Sequence, residues 1–170
     1  GDEKTKYYFS GSFRDEEGTI IGSGYKRGTA RLNLDHKASK VFSFGTSLSV
    51  SSDLNKRIQN DNNIYGVYSA AILTPSIFRV RDENGVFVDA LPGFGTNAVR
   101  DALRPRFDNK TLKVIGNFYT TFKIMDGLDF RSDFSYDYNT LTEDHYNPAS
   151  TAQGRPAGNG NFSFRSIGTW

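Results

Sequence analysis

The chain has 170 residues with a formal net charge of +2 and 24% charged residues, a balance that argues against a polyanion-binding surface and so against a nucleic-acid partner. It contains no cysteine, which removes disulfides, thiol nucleophiles and cysteine-ligated metals. Mean hydropathy is −0.54 although aromatics reach 14%, and no apolar run approaches the ~20 residues of a transmembrane helix; strands with one apolar and one polar face produce that mixture.

In chain order, the first predicted strand covers residues 5–14 and runs into a polar, glycine-containing loop, 15–24. A second strand over 25–36 leaves through the tight turn Lys37-Ala38-Ser39-Lys40 into a third, 41–53. A very long connection, 54–109, precedes a fourth strand over 110–124, the short turn Met125-Asp126-Gly127, and a fifth strand over 128–139. A Gly/Asn/Pro-rich loop, 140–161, then leads to a sixth strand that starts near Phe162 and is cut off at Trp170.

Alternation with period two carries these assignments. In the second strand Ala30, Leu32 and Leu34 oppose Arg27, Thr29, Arg31, Asn33 and Asp35. In the third, Phe42, Phe44, Leu48 and Val50 oppose four serines. The fourth sets Leu112, Val114, Phe118, Phe122 and Ile124 against Lys113, Asn117, Thr121 and Lys123. The fifth sets Leu128, Phe130, Phe134, Tyr136 and Tyr138 against Arg131, Asp133, Ser135 and Asp137, and no apolar face contains a charge.

A soluble sandwich alternates too, so three further features decide. The strands reach about ten residues, the length that crosses a membrane, whereas strands of globular proteins cluster near five or six. Tight turns alternate with long loops, as the periplasmic and extracellular connections of outer-membrane barrels do. Aromatics (Tyr7, Tyr8, Tyr25, Phe42, Phe44, Phe130, Tyr136, Tyr138) gather toward strand ends, where an interfacial girdle belongs. The expected fold is therefore all-β, an antiparallel transmembrane β-barrel segment. Lipid offers backbone groups no partner, so a spanning sheet must close, and about five complete strands plus a truncated sixth cannot do so. The remainder of the barrel is expected outside this chain.

Ordered motifs then point to a family. The stretch YYFSGSFRDEEGTIIGSGYKRGTARLNLDHKAS (7–39), the loop ILTPSIFRVRDENGVFVD (72–89) and the hairpin KVIGNFYTTFKIMDGLDFRSDFSYDY (113–138) resemble, in order, the barrel of the SusC-like TonB-dependent transporters of Bacteroidetes. Each motif alone is weak; the ordered set is specific and covers essentially the whole chain. One segment departs from the pattern, RDALRPRFDNK (100–110), where many members carry an N-P motif. The resemblance implies a large, 22-stranded plugged barrel in the outer membrane that imports oligosaccharides or peptides. It also implies a SusD-like surface lipoprotein as lid, and TonB acting through a plug region that is not in this chain. A passive porin, and a soluble secreted β-rich adhesin whose apolar faces pack on each other, are the alternatives.

Two sets of residues are candidates for function. On the polar strand faces, Arg31, Asn33, Asn117, Arg131 and Asp133 are expected to line the lumen. In the long loop a short helix is expected over 63–73, its apolar face formed by Ile64, Val67, Tyr68, Ala71 and Ile72 and ended by Pro75. A small hairpin turning at Asn84-Gly85 should follow. There Tyr65, Tyr68, Phe78, Phe87 and Phe94 either face a substrate or lid, or pack the loop against its neighbours, the more ordinary role. Acidic clusters at Asp15-Glu16-Glu17 and Asp82-Glu83-Asn84 have oxygen ligands suited to Ca²⁺ but read more simply as solvated loop tips. Glu143, Asp144 and His145 alternate along a strand and so diverge. Gly22-Ser23-Gly24-Tyr25-Lys26 lacks the spacing of a phosphate loop, and there is no G-x-S-x-G or H-E-x-x-H. Neither catalysis nor a cofactor or metal is expected.

Overall fold

A computed structural model describes residues 1–58, 66–89, 96–151 and 153–169. Among them, β1 (Thr5–Glu17), β2 (Gly24–Lys37), β3 (Phe42–Lys56), β4 (Arg106–Met125), β5 (Leu128–Asn147) and β6 (Asn161–Thr169) form one antiparallel sheet in chain order. Two short helices, α1 (Val67–Leu73) and α2 (Ala98–Leu103), lie between β3 and β4, and a 3₁₀ turn, Arg155–Ala157, lies between β5 and β6.

The chain reverses tightly at one end of the sheet. Between β2 and β3 the Ser39 hydroxyl accepts the backbone N–H groups of Val41 and Phe42, at 3.2 and 3.0 Å. Between β4 and β5, Gly127 takes a φ of +86°, the left-handed conformation that a two-residue reversal needs. All three long connections leave from the opposite end, so the alternation of turn and loop lengths has a fixed polarity.

Register decides what each face carries, because cross-strand partners share a face. Leu34 pairs with Thr46, Thr46 with Phe118 and Phe118 with Phe134; one residue away, Asn33 pairs with Ser47, Ser47 with Asn117 and Asn117 with Ser135. The apolar face is charge-free through the middle of the sheet. Charge returns there only toward the loop end, at Asp15, Glu17, Lys26, Lys56, Arg106, Asp108, Lys110 and Asp144. On β4 the stretch from Leu112 to Phe122 measures roughly 33 Å along the strand. Tilted by ~40°, it covers about 25 Å along a bilayer normal, the height of the apolar band of outer-membrane barrels. At the turn end Phe42 stacks on Phe122 with ring centroids 4.5 Å apart, and Phe44 lies 6.3 Å from Phe118.

Nothing among the described residues covers this face: Phe118 is 45% exposed and Phe134 68%. The buried apolar side chains, Val67, Ala70 and Ala102, belong to α1 and α2 and none to the sheet. A soluble sandwich would bury its phenylalanines under a second sheet, and none lies against these.

Three expectations need correction. First, β4 and β5 run to 20 residues each and extend past the predicted ends to Arg106 and Asn147. In that extension the outward face carries Arg106, Asp108 and Asp144 and the other carries Asn109, Glu143 and His145, so neither face is apolar and alternation gives no signal. Second, α1 buries Val67 and Ala70 while Tyr68 and Ile72 are exposed, so the predicted apolar face is rotated away from the packing face. Third, α2 was not anticipated; residues 63–65 of the predicted helix lie outside the described residues.

Candidate functional site

The polar face of the sheet brings together Arg31, Asn33, Asn117, Arg131 and Asp133, as their register requires. Small side chains dominate its middle, where Asn117 Nδ2 donates to Ser135 Oγ at 2.9 Å. Nearer the turn end the Tyr119 hydroxyl donates to the Asp35 carboxylate across β3. It can reach because the strand between them has Gly45. A Cβ there would come within 2.6 Å of both the Tyr119 ring and Asp35 Oδ1, closer than real side chains approach. Arg131 lies 4.1 Å from the Tyr119 ring centroid and donates through Nε and Nη2 to Asp133 at 2.8 and 2.9 Å. The result is a wall of hydroxyls, amides and mutually neutralised charges.

At the loop end the β3–β4 connection folds into a small body of its own. Asn97 caps α2: its Oδ1 accepts the Arg100 N–H at 3.1 Å. Its Nδ2 donates to the carbonyls of Val80 and Val88, both at 2.8 Å, so one amide joins α2 to the reversal at residues 80–88. That reversal is the predicted hairpin in minimal form. A single bridge pairs Arg81 with Phe87, Gly85 takes a φ of +76°, and Asp82 Oδ1 accepts the N–H groups of Asn84 and Val86.

A chain of ion pairs ties this body to the next loop. Arg100 is 4% exposed and Asp101 5%; Arg100 Nε donates to Asp101 at 2.9 Å, and its Nη1 donates to Asp89. Arg155, from the β5–β6 connection, donates through Nη2 to both oxygens of Asp89 at 3.0 Å. Asp89 thus joins two loops that are far apart in sequence. The Arg100 hydrogen bond holds the Asp89 carboxyl below its ordinary range, with Arg155 adding to the effect. Burial opposes the charge of Arg100, but its bonds to Asp101 and Asp89 outweigh that and raise its pKa.

The aromatic loop candidates fall into different settings. Tyr65 and Phe94 lie outside the described residues. Tyr68 is 54% exposed on α1. Phe78 lines a cavity of about 290 Å³ between α1, the reversal and α2, with Thr74, Arg79, Val88 and Asn97. Phe87 is engaged from within the loop: the Arg81 guanidinium is 3.8 Å and that of Arg104 5.6 Å from its ring centroid. Asp144 pairs with Arg106 at 3.0 Å and Asp15 with Lys26 at 2.7 Å, so these members of the acidic clusters are partnered within the sheet.

Sequence reading passed over Asp89, Asn97, Arg100, Arg104 and Arg155. A local signal for α2 was present, since Asn97 before A-V-R-D-A-L is a good N-cap followed by an acidic residue in the first turn. Asp89 and Arg155 are 66 residues apart, and no local pattern links them.

Comparison with known proteins places these features. No family model matches the chain. It is 25% identical over 151 residues to TonB-dependent receptor P39 of Formosa agariphila, covering 89% of this chain and 14% of that protein. It is 21% identical over 175 residues to TonB-dependent receptor P3 of the same organism, covering 98% of this chain and 17% of that protein. Its fold matches the solved structure of the RagAB peptide importer in the closed-closed state with a TM-score of 0.64 at 18% identity, over 89% of this chain and 18% of that one. The chain spans less than a fifth of each protein it matches.

Proposed function

From a chain that resembles, over nearly its whole length, one stretch of barrel wall of the SusC-like TonB-dependent receptors, we propose that it serves in an outer-membrane active importer of oligosaccharides or peptides. The apolar face meets lipid, and the face with Arg31, Asn33, Asn117, Arg131 and Asp133 lines the lumen. The tight turns face the periplasm. The β1–β2, β3–β4 and β5–β6 loops face outside, where they capture substrate together with a SusD-like lipoprotein lid. TonB acts on a plug contributed by other parts of the barrel protein.

One observation carries this reading: a single sheet whose apolar face is charge-free through its middle and lies opposite a polar one, with every long loop at the same end. An apolar face of that extent needs an apolar solvent, and the TonB-dependent receptor relatives supply the transport role.

Uptake of labelled oligosaccharides and peptides by cells with and without the full-length protein tests the proposal. Uptake should need the protein and collapse when a protonophore dissipates the proton gradient. Protein-dependent uptake indifferent to the protonophore would mean a passive porin.

A further inference from the structure

The two loops joined by Asp89 leave a cleft between them of about 380 Å³, lined among others by Phe87, Asp89, Arg100, Arg104, Ser150 and Arg155. Three arginines and one carboxylate line it. Counting Asp101, buried behind Arg100, still leaves one positive charge without a counter-charge. Arg104 is that charge: its guanidinium lies by the Phe87 ring, and it enters no ion pair among the described residues. Arg155 is 58% exposed and directs Nη2 at Asp89, which leaves its other donors toward solvent.

The arrangement is rigid where it needs to be. Arg104 follows α2 directly, and its N–H bonds to the Arg100 carbonyl at 2.9 Å. Arg81 and Arg104 both contact Phe87, so the ring braces the Arg104 guanidinium. The cleft already holds one carboxylate, Asp89, through a single Arg155 nitrogen, Nη2, shared between its two oxygens, and through Arg100 Nη1.

We propose that this cleft binds a carboxylate group carried by the imported oligomer, with Arg104 as its principal contact and Arg155 beside it. This rests on reading the loops as the outer, substrate-capturing end of an importer. The carboxylate can come from a uronic acid of an oligosaccharide or from the C-terminus or an acidic side chain of a peptide; the chemistry is the same.

The test uses the full-length transporter in detergent and four probes: a uronic acid trisaccharide, its methyl ester, an acidic tripeptide, and the same peptide amidated and esterified. One acid probe should bind about tenfold more tightly than its neutral form, the factor a single charge-assisted hydrogen bond supplies, and that preference should shrink at high salt. Which acid does so identifies the source. Arg104→Gln should lower the acid form's affinity well beyond that of the neutral form and so remove most of the preference, and Arg104→Lys should retain part of it; an unchanged urea midpoint shows that the variants are folded. Equal binding of acid and neutral forms, or an equal loss of both in Arg104→Gln, would overturn the proposal alone. Failure of every probe to bind to a protein that still supports uptake would overturn this proposal alone; loss of protein-dependent uptake as well would overturn the importer reading with it.

Discussion

Phe118 and Asn117 are neighbours on β4 yet occupy different environments. Phe118 pairs with Thr46 and Phe134 on the apolar face, and Asn117 pairs with Ser47 and Ser135 on the polar one. A cationic side chain in mid-bilayer costs roughly 2–4 kcal/mol, whereas a lumen-facing one meets water and polar groups. Phe118→Arg should therefore destabilise the folded barrel by about that amount and Asn117→Arg by much less. Urea titration of the full-length protein folded into lipid vesicles measures both; equal costs would contradict the facing. Gly45 shows the same economy at one position, where the missing Cβ lets Tyr119 reach Asp35 across an intervening strand.

Among the elements, strands and loops are governed by different forces. In the sheet, backbone pairing fixes register, and no internal core among the described residues receives the apolar side chains; on the proposed reading the bilayer does. In the β3–β4 loop a small true core, Val67, Ala70 and Ala102, sits beside the buried Arg100–Asp101 pair. Asp89 fastens that body to the β5–β6 loop, and its pKa is lowered from an ordinary value of 3.8. A lowered carboxylate pKa stabilises above the ordinary value, and the contribution is lost as pH falls through the lowered one. The two loops should then stay joined at neutral pH and separate only in strong acid, below pH 3.8. Spin labels at Glu83 and Asn159 measure this: their distance should be constant from neutral pH down to that point and broaden below it. Asp89→Asn should give the broad distribution already at neutral pH.

The same division explains what could be read in advance. The middles of β2 to β5 were legible because each has one apolar and one polar face, and composition alternates accordingly. The outer ends of β4 and β5 were not, because both faces there carry polar and charged residues and only cross-strand pairing extends the strand. For the loops, the sequence located the turn at Gly85 and a helix ending near Leu73. It could not reveal the ion-pair chain from Asp101 through Arg100 and Asp89 to Arg155, because those partners meet only after both loops have folded.

At the scale of the whole molecule, six antiparallel strands make an open sheet whose outer strands, β1 and β6, have no further partner among the described residues. Unpaired strand edges cannot persist in hydrocarbon. The likeness to proteins five or more times longer accounts for this, since β1 and β6 would continue into neighbouring strands of a closed barrel. On the proposed reading the polar face then lines an enclosed space, and the loop body with its cleft lies over the outer mouth.

The central claim is that the face containing Phe118 meets lipid and the face containing Asn117 meets water. The most direct test places a single spin label at position 118, and separately at 117, of the full-length protein in a bilayer. Collision rates with oxygen, which concentrates in lipid, and with a water-soluble nickel chelate are then compared. The account predicts oxygen-dominated relaxation at 118 and chelate access, or shielding by the plug from both reagents, at 117. Chelate-dominated relaxation at 118, or oxygen-dominated relaxation at 117, would contradict it.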